Sequence, residues 1–170
     1  RRKKAEKERR EQKAYFEQLF KNSTEGIVLL DNNNKIMRAN EKFEKIFKYK
    51  ESEILGEDLD DLITPEEHEN EGRNYSQNVI SGETVNDEVI RETKNGEKIH
   101  VSLHGFPIKL SDDQFGIYAV YNDISQRKKE EEKIKYISFH DQLTGLYNRR
   151  YFEKEIERLN NSRRLPITIL

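Results

Sequence analysis

The chain has 170 residues, of which 38% are charged and only 33% hydrophobic, and its formal net charge is −2. Globular domains average roughly 25% charged and 45–50% apolar residues, so part of this chain needs no core beneath it. Cysteine and tryptophan are absent, which excludes disulfides, thiolate catalysis and thiolate-held metal or iron–sulfur centres.

Residues 1–14 carry 8 basic and 3 acidic side chains, residues 15–125 carry 12 and 23, and residues 126–170 carry 11 and 7. An acidic middle thus lies between two basic, helix-favouring ends. The near-neutral total gives no electrostatic case for a nucleic-acid partner. Acids interleave with the basic runs Arg1 to Arg10 and Arg127 to Lys135, and aromatics do not, which is the pattern of solvated helix faces. No apolar run is longer than Gly26 to Leu30, so neither a membrane span nor a secretory segment is expected. The start at Arg1 without Met reads as a cut from something longer, and a cytoplasmic location is expected. Membrane helices are commonly flanked by basic residues on their cytoplasmic side, so an upstream membrane segment fits this start too.

Residues 1–21 lack Gly and Pro and predict a helix. Only its end has an apolar face, with Phe16, Leu19 and Phe20 at i, i+3 and i+4. It is expected to project, or to pair weakly with a second copy. Gly26 to Leu30 and Lys35 to Ala39 read as a strand pair around the turn residues Asp31 to Asn34. Asn40 suits the cap of a helix carrying Phe43, Ile46 and Phe47. Gly56 closes a short helix around Glu53 to Leu55. Thr64 is expected to cap another, with Pro65 in its first turn and Ser81-Gly82 as its stop. Three strands come next, Val85 to Glu92, Lys98 to Ile108 and Phe115 to Ile124, the first two joined by the tight-turn pair Asn95-Gly96. Ser125 to about His140 predicts a helix, Asn148 to Leu159 a second, and Leu165 to Leu170 a buried strand. The fold class expected is α+β: a five-stranded antiparallel sheet with small helices on one side, flanked by signalling helices.

This ordered set resembles a PAS domain over roughly residues 15–125. The carrying stretches are Tyr15 to Phe20 before Gly26 to Asp31, Ile36 to Asn40 followed by Phe43 and Phe47, Leu55-Gly56, Thr64 to His68, Ser81-Gly82 to Glu88, Lys94-Asn-Gly96, and the exit Tyr121 to Arg127. The exit is similar to the family's Asp-Ile-Thr junction, with Ser125 in place of Thr and its hydroxyl kept. The signal junction is placed at Asp123, Ser125 and Arg127. Asp123 is positioned to accept from the first helix N–H groups or from Arg127.

A second stretch, His140-Asp-Gln-Leu-Thr-Gly-Leu-Tyr-Asn-Arg-Arg150, resembles the opening of GGDEF domains, the diguanylate cyclases that join two GTP into cyclic di-GMP. Asp141, Leu143, Thr144, Gly145, Leu146, Asn148, Arg149 and Arg150 fit that motif. In that family the metal-binding acids, the guanine-binding residues and the glycine-rich hairpin come after the first strand. The resemblance therefore implies no catalytic residues within this chain, and Asp141, Arg149 and Arg150 read as a structural acid–base clasp. The organisation implied is a helix at 1–22, a PAS domain at 23–124, a linker signalling helix at 125–140 and the start of a GGDEF domain at 141–170.

A pocket between sheet and helices is expected to be lined by Phe43, Ile46, Phe47, Leu59, Tyr75, Val79, Ile99, Val101, Leu103 and Ile117. Either these side chains fill it or it takes a small apolar or amphipathic ligand. Haem held by a His on the helix before the central strands is disfavoured, because His68 sits in the acidic turn Glu66 to Asn70. His100 and His104 are roughly 13 Å apart along a strand and cannot share a metal. Flavin of the photoreceptor kind needs a Cys and redox-type flavin a Trp, and neither is present. A phospho-accepting His140 would need its helix to continue, but Leu143-Thr-Gly145 ends it. The reading is a sensory PAS module acting, as a homodimer, on its own C-terminal cyclase domain. The alternatives are a fragment of an active cyclase and a ligand-free dimerisation module.

Overall fold

The computed structural model describes residues 2–111 and 114–160; the strand expected at Leu165 to Leu170 lies outside them. The elements are α1 (Arg2–Asn22), β1 (Gly26–Leu30), β2 (Ile36–Ala39), α2 (Glu41–Phe47), α3 (Glu51–Ile54), α4 (Leu59–Ile63), a 3₁₀ turn (Glu66–His68), α5 (Glu69–Ile80), β3 (Val85–Glu92), β4 (Lys98–Lys109), β5 (Phe115–Asp123), α6 (Ser125–Phe139) and α7 (Arg149–Asn160). They form two compact units, Arg1–Ser125 and Gln126–Leu170.

The first unit is built on one antiparallel sheet in the order β2-β1-β5-β4-β3. The strands alternate as half-buried strands do: β4 turns Ile99, Val101, Leu103 and Gly105 inward and leaves His100, Ser102 and His104 on the other face. The inner face is covered by α2, α4 and α5, which supply Phe43, Phe47, Leu59, Ile63 and Val79 to a single core cluster. Phe43, Phe47 and Tyr121 pack ring on ring at centroid distances of 4.6, 5.9 and 5.3 Å. The fold is the α+β sheet-and-helix architecture expected.

Helix α1 is exposed up to Phe16 and buries only Phe20. Its last two turns fix it. Glu17 takes both Nη atoms of Arg38 at 3.1 Å, while Arg38 Nε reaches Glu51 and its guanidinium lies over the Phe20 ring at 5.1 Å. Asn40 caps α2 through the Phe43 N–H as expected. The same side-chain oxygen also accepts from Ile27 N–H, and its amide donates to the carbonyls of Phe20 and Glu25.

The expectation at Thr64 fails. Thr64 does not cap a helix but ends α4, a five-residue helix too short to leave a periodic signature. Asp58 caps that helix, and Pro65 leads only the 3₁₀ turn before α5. The Thr64 hydroxyl is buried without a hydrogen-bond partner among the described residues.

Candidate functional site

Behind α5 lies a cavity of about 20 Å³, the room of one water molecule. Its apolar wall includes Leu30, Leu59, Val79, Leu103 and Ile117, and its polar wall comprises Asp60, Tyr75, Ser76, Arg91 and Tyr121. Of the residues expected to line a pocket, Leu59, Tyr75, Val79, Leu103 and Ile117 do so. Phe43, Ile46, Phe47, Ile99 and Val101 do not line this cavity. They are core residues, and Phe43 and Phe47 are consumed by their packing on Tyr121.

Apart from Tyr75, the polar wall carries no obvious mark in the sequence. Arg91, at 1% exposure, is the largest fully buried side chain. A buried guanidinium persists only when paired. Here Nη1 donates to Glu71 Oε1 at 3.1 Å and to the Ile90 carbonyl at 2.8 Å. Its signal in the sequence is parity: Arg91 falls on the same face of β3 as Val85 and Val89. Asp60 is also buried, and its Oδ2 accepts from Ser76 Oγ at 2.8 Å and Asn34 Nδ2 at 2.9 Å. Burial pushes the Asp60 carboxyl above its ordinary range, opposed by the Ser76 hydrogen bond. Tyr121 is driven up by burial, with the neighbouring Arg91 charge opposing.

Polar clasps hold α5 in place: Ser76 on Asp60, Glu71 on Arg91, Tyr75 Oη on Asp87 Oδ2 at 2.5 Å and, at the surface, Arg73 on Asp61 at 3.5 Å. Burial first, and then the Asp87 hydrogen bond, push the Tyr75 phenol up to about 12. His68, disfavoured as a haem ligand, faces Glu71 at 3.6 Å. Among the described residues no three His, Asp or Glu side chains cluster so as to hold a metal ion.

At the exit of β5, Asp123 Oδ1 accepts from Ser125 N–H at 2.9 Å. The Ser125 hydroxyl accepts from His100 N–H at 3.1 Å, and Ile124 N–H donates to the His100 carbonyl at 2.9 Å. The first residue of α6 is thus bonded to the start of β4. Arg127 pairs along the helix with Glu131 at 2.7 Å.

In the second unit the segment between α6 and α7 is a compact turn. Asp141 Oδ1 accepts from the Thr144 hydroxyl at 2.8 Å and its N–H at 3.0 Å, and Gly145 takes φ +71°. Asn148 caps α7 through Tyr151 N–H and donates back to the Ser138 carbonyl. The expected acid–base clasp does not form among the described residues. Asp141 is satisfied within its own turn, Arg149 pairs with Glu153 at 2.7 Å, and Arg150 is exposed. Beside this turn the rings of Tyr136, His140, Tyr147 and Tyr151 stack at 3.9, 4.5 and 3.8 Å.

A family model of the PAS domain matches residues 24–126. The chain belongs to the PAS domain family. This PAS chain is 33% identical over 63 residues to diguanylate cyclase DgcM of Escherichia coli O157:H7, a match covering 37% of the chain and 15% of that protein. It is 30% identical over 134 residues to sporulation kinase E of Bacillus subtilis strain 168, covering 79% of the chain and 18% of the kinase. Each match therefore spans less than a fifth of the curated relative's length. Among solved structures, the PAS domain of an HTR-like protein from Haloarcula marismortui superposes with a TM-score of 0.58 at 27% identity, over 72% of this chain and 99% of that one. No helix among the described residues is long and apolar enough to cross a membrane.

Proposed function

We propose that this PAS domain is a sensory module that controls a diguanylate cyclase domain located after it in the same protein. The observation that carries the reading is the turn Asp141 to Arg150, whose residues resemble the opening of a GGDEF domain, placed directly after α6. The 33% identity to a diguanylate cyclase over 63 residues supports it. The signal passes from strand to helix at the junction, where Ser125 is bonded to both Asp123 and His100. The chain itself makes no cyclic di-GMP, because the acids and glycine-rich hairpin expected of a cyclase are not in its sequence.

The module acts as a homodimer. Tyr15, Phe16 and Leu19 are 65%, 45% and 55% exposed on the end of α1, and a second copy covering them would remove apolar surface from water. The interface is weak, because the charged turns of α1 contribute little. Light scattering at high protein concentration checks this, and a persistent monomer overturns it.

The functional test is Asp123→Ala in the cyclase-bearing protein. Cyclic di-GMP production changes while the PAS domain stays folded by circular dichroism. Unchanged basal and stimulated production overturns the junction as a switch and leaves Asp123 a helix cap worth about 1 kcal/mol.

A further inference from the structure

We propose that the cavity behind α5 recognises a short-chain carboxylate, whose carboxylate group takes the place of Glu71 on Arg91. This deepens the sensory reading by naming a ligand class, and it rests on that reading only for the consequence at the cyclase.

The argument begins with charge. Arg91 is a full positive charge with almost no solvent contact, placed on the inner face of β3. A guanidinium so placed selects planar anions, because its N–H groups match two carboxylate oxygens. Asp60 does not serve as its main counter-charge, since Asp60 Oδ2 is already met by Ser76 and Asn34. The counter-charge is Glu71, whose side chain is 37% exposed while that of Arg91 is 2% exposed. Glu71 therefore reaches in from the surface and is paired through a single oxygen–nitrogen bond. It is a displaceable anion on a fixed cation.

Size then limits the ligand. The cavity offers about 20 Å³ beside Arg91, enough for one small group, such as a methyl or hydroxyl, next to a carboxylate that has taken Glu71's position. Ser76 and the Tyr121 ring border that space, so it accepts a polar or an apolar substituent. A two-carbon acid fits this allowance. Displacing Glu71 removes one clasp between α5 and its surroundings and leaves those of Arg73, Ser76 and Tyr75 in place. The ligand thus loosens the first turn of α5, where Glu71 lies.

The test is a titration of the 170-residue chain with acetate, monitored by amide NMR, with sodium chloride at equal ionic strength, phosphate and acetamide as controls. Acetate shifts the amides of Gly72, Ser76 and Arg91 saturably, whereas the uncharged acetamide and the chloride do not. Glu71→Gln removes the internal competitor and lowers the half-saturating acetate concentration about tenfold, equivalent to about 1.4 kcal/mol. Arg91→Gln abolishes the response. If that variant does not fold, Glu71→Gln alone decides the matter. Equal responses to acetate and chloride, to acetate and acetamide, or to acetate and phosphate overturn the carboxylate site. Wild-type acetate affinity in Glu71→Gln overturns the displacement. The titration reads the chain alone, so its result does not depend on any cyclase. Acetate binding without altered cyclase output would overturn only the regulatory reading.

Discussion

The side-chain amide of Asn40 donates to the Phe20 carbonyl at 3.0 Å and thereby ties the last turn of α1 to the cap of α2. Through its other bonds the same residue holds Glu25, Ile27 and Phe43, so four backbone groups, from α1, the loop after it, β1 and α2, depend on one side chain. Asn40→Ala leaves these groups unmet and lowers unfolding free energy by about 3 kcal/mol. Asn40→Ser keeps an acceptor for Phe43 and recovers about a third of that loss. Urea denaturation of both variants checks the ranking, and equal stabilities would refute it.

The Tyr75–Asp87 hydrogen bond gives stability two pH edges. The Tyr75 phenol is raised from its ordinary 10.0 to about 12, so its contribution is complete below about pH 10 and is lost as pH rises through the raised value. The Asp87 carboxyl is held below its ordinary 3.8, first by the Tyr75 hydroxyl. Its contribution is present above that value and is lost as pH falls through the lowered one. Tyr75→Phe should cost about 1 kcal/mol at pH 7, modest because the pair faces solvent. The difference from wild type should shrink at both extremes. A difference that is flat with pH would show that the bond is not the source.

Gly116 lies where two strands leave no room for a side chain. A Cβ there would stand 2.3 Å from the Leu30 carbonyl oxygen and 2.8 Å from Leu110 Cδ1. The obstacle is backbone, so it cannot swing aside. Gly116→Ala is expected to cost about 3 kcal/mol, the upper end of overpacking. By contrast Gly96→Ala, at φ +76° with nothing within 4 Å, costs about 1 kcal/mol from backbone conformation alone. Thermal unfolding separates the two, and a Gly116→Ala variant no worse than Gly96→Ala would contradict the geometry.

In the second unit the Asp141 carboxyl is held below its ordinary value, first by the Thr144 hydroxyl and next by the Thr144 N–H. Thr144→Val removes the hydroxyl alone, and the Asp141 carboxyl should titrate at higher pH. Thr144→Ser should titrate as wild type does. An NMR titration of the Asp141 side-chain carboxyl carbon reads both, and no movement in the valine variant would deny the hydroxyl its role.

The sheet was legible because its signals are local. Alternation in β4, the Gly96 turn and the Asn40 cap each report on a few adjacent residues. The connection at Gly96 is nonetheless the longer turn closed by Thr93 and Glu97 rather than a two-residue one, with only Gly96 left-handed. The cavity was half legible: the apolar wall of Leu59, Val79, Leu103 and Ile117 came from which faces turn inward. Of its polar wall only Tyr75 did: Arg91 and its partner Glu71 are 20 residues apart, and an arginine beside Glu92 reads as surface until α5 is laid over it. Asp60 was hidden for a different reason. It lies within the acidic run Asp58 to Asp61, in a helix too short to show a period. Thr64 misled because a threonine before proline and two glutamates looks the same at the end of a helix as at the start of one. The acid–base clasp failed because hydrogen bonds between residues three apart in the turn satisfied Asp141 before any arginine was needed.

The ring stack beside the Asp141 turn also gives the protein an optical signature. The chain has 8 tyrosines and no tryptophan, so its near-ultraviolet emission belongs mainly to tyrosine. All three tyrosines of the second unit stand in that stack, two of them 3.8 Å apart and nearly parallel, at 12°. Rings so close exchange excitation, so their circular dichroism is expected to be that of a coupled pair rather than of separate phenols. The second unit therefore carries its own built-in chromophore. Melting of the turn between α6 and α7 can be watched by the collapse of that coupled band, with no label attached.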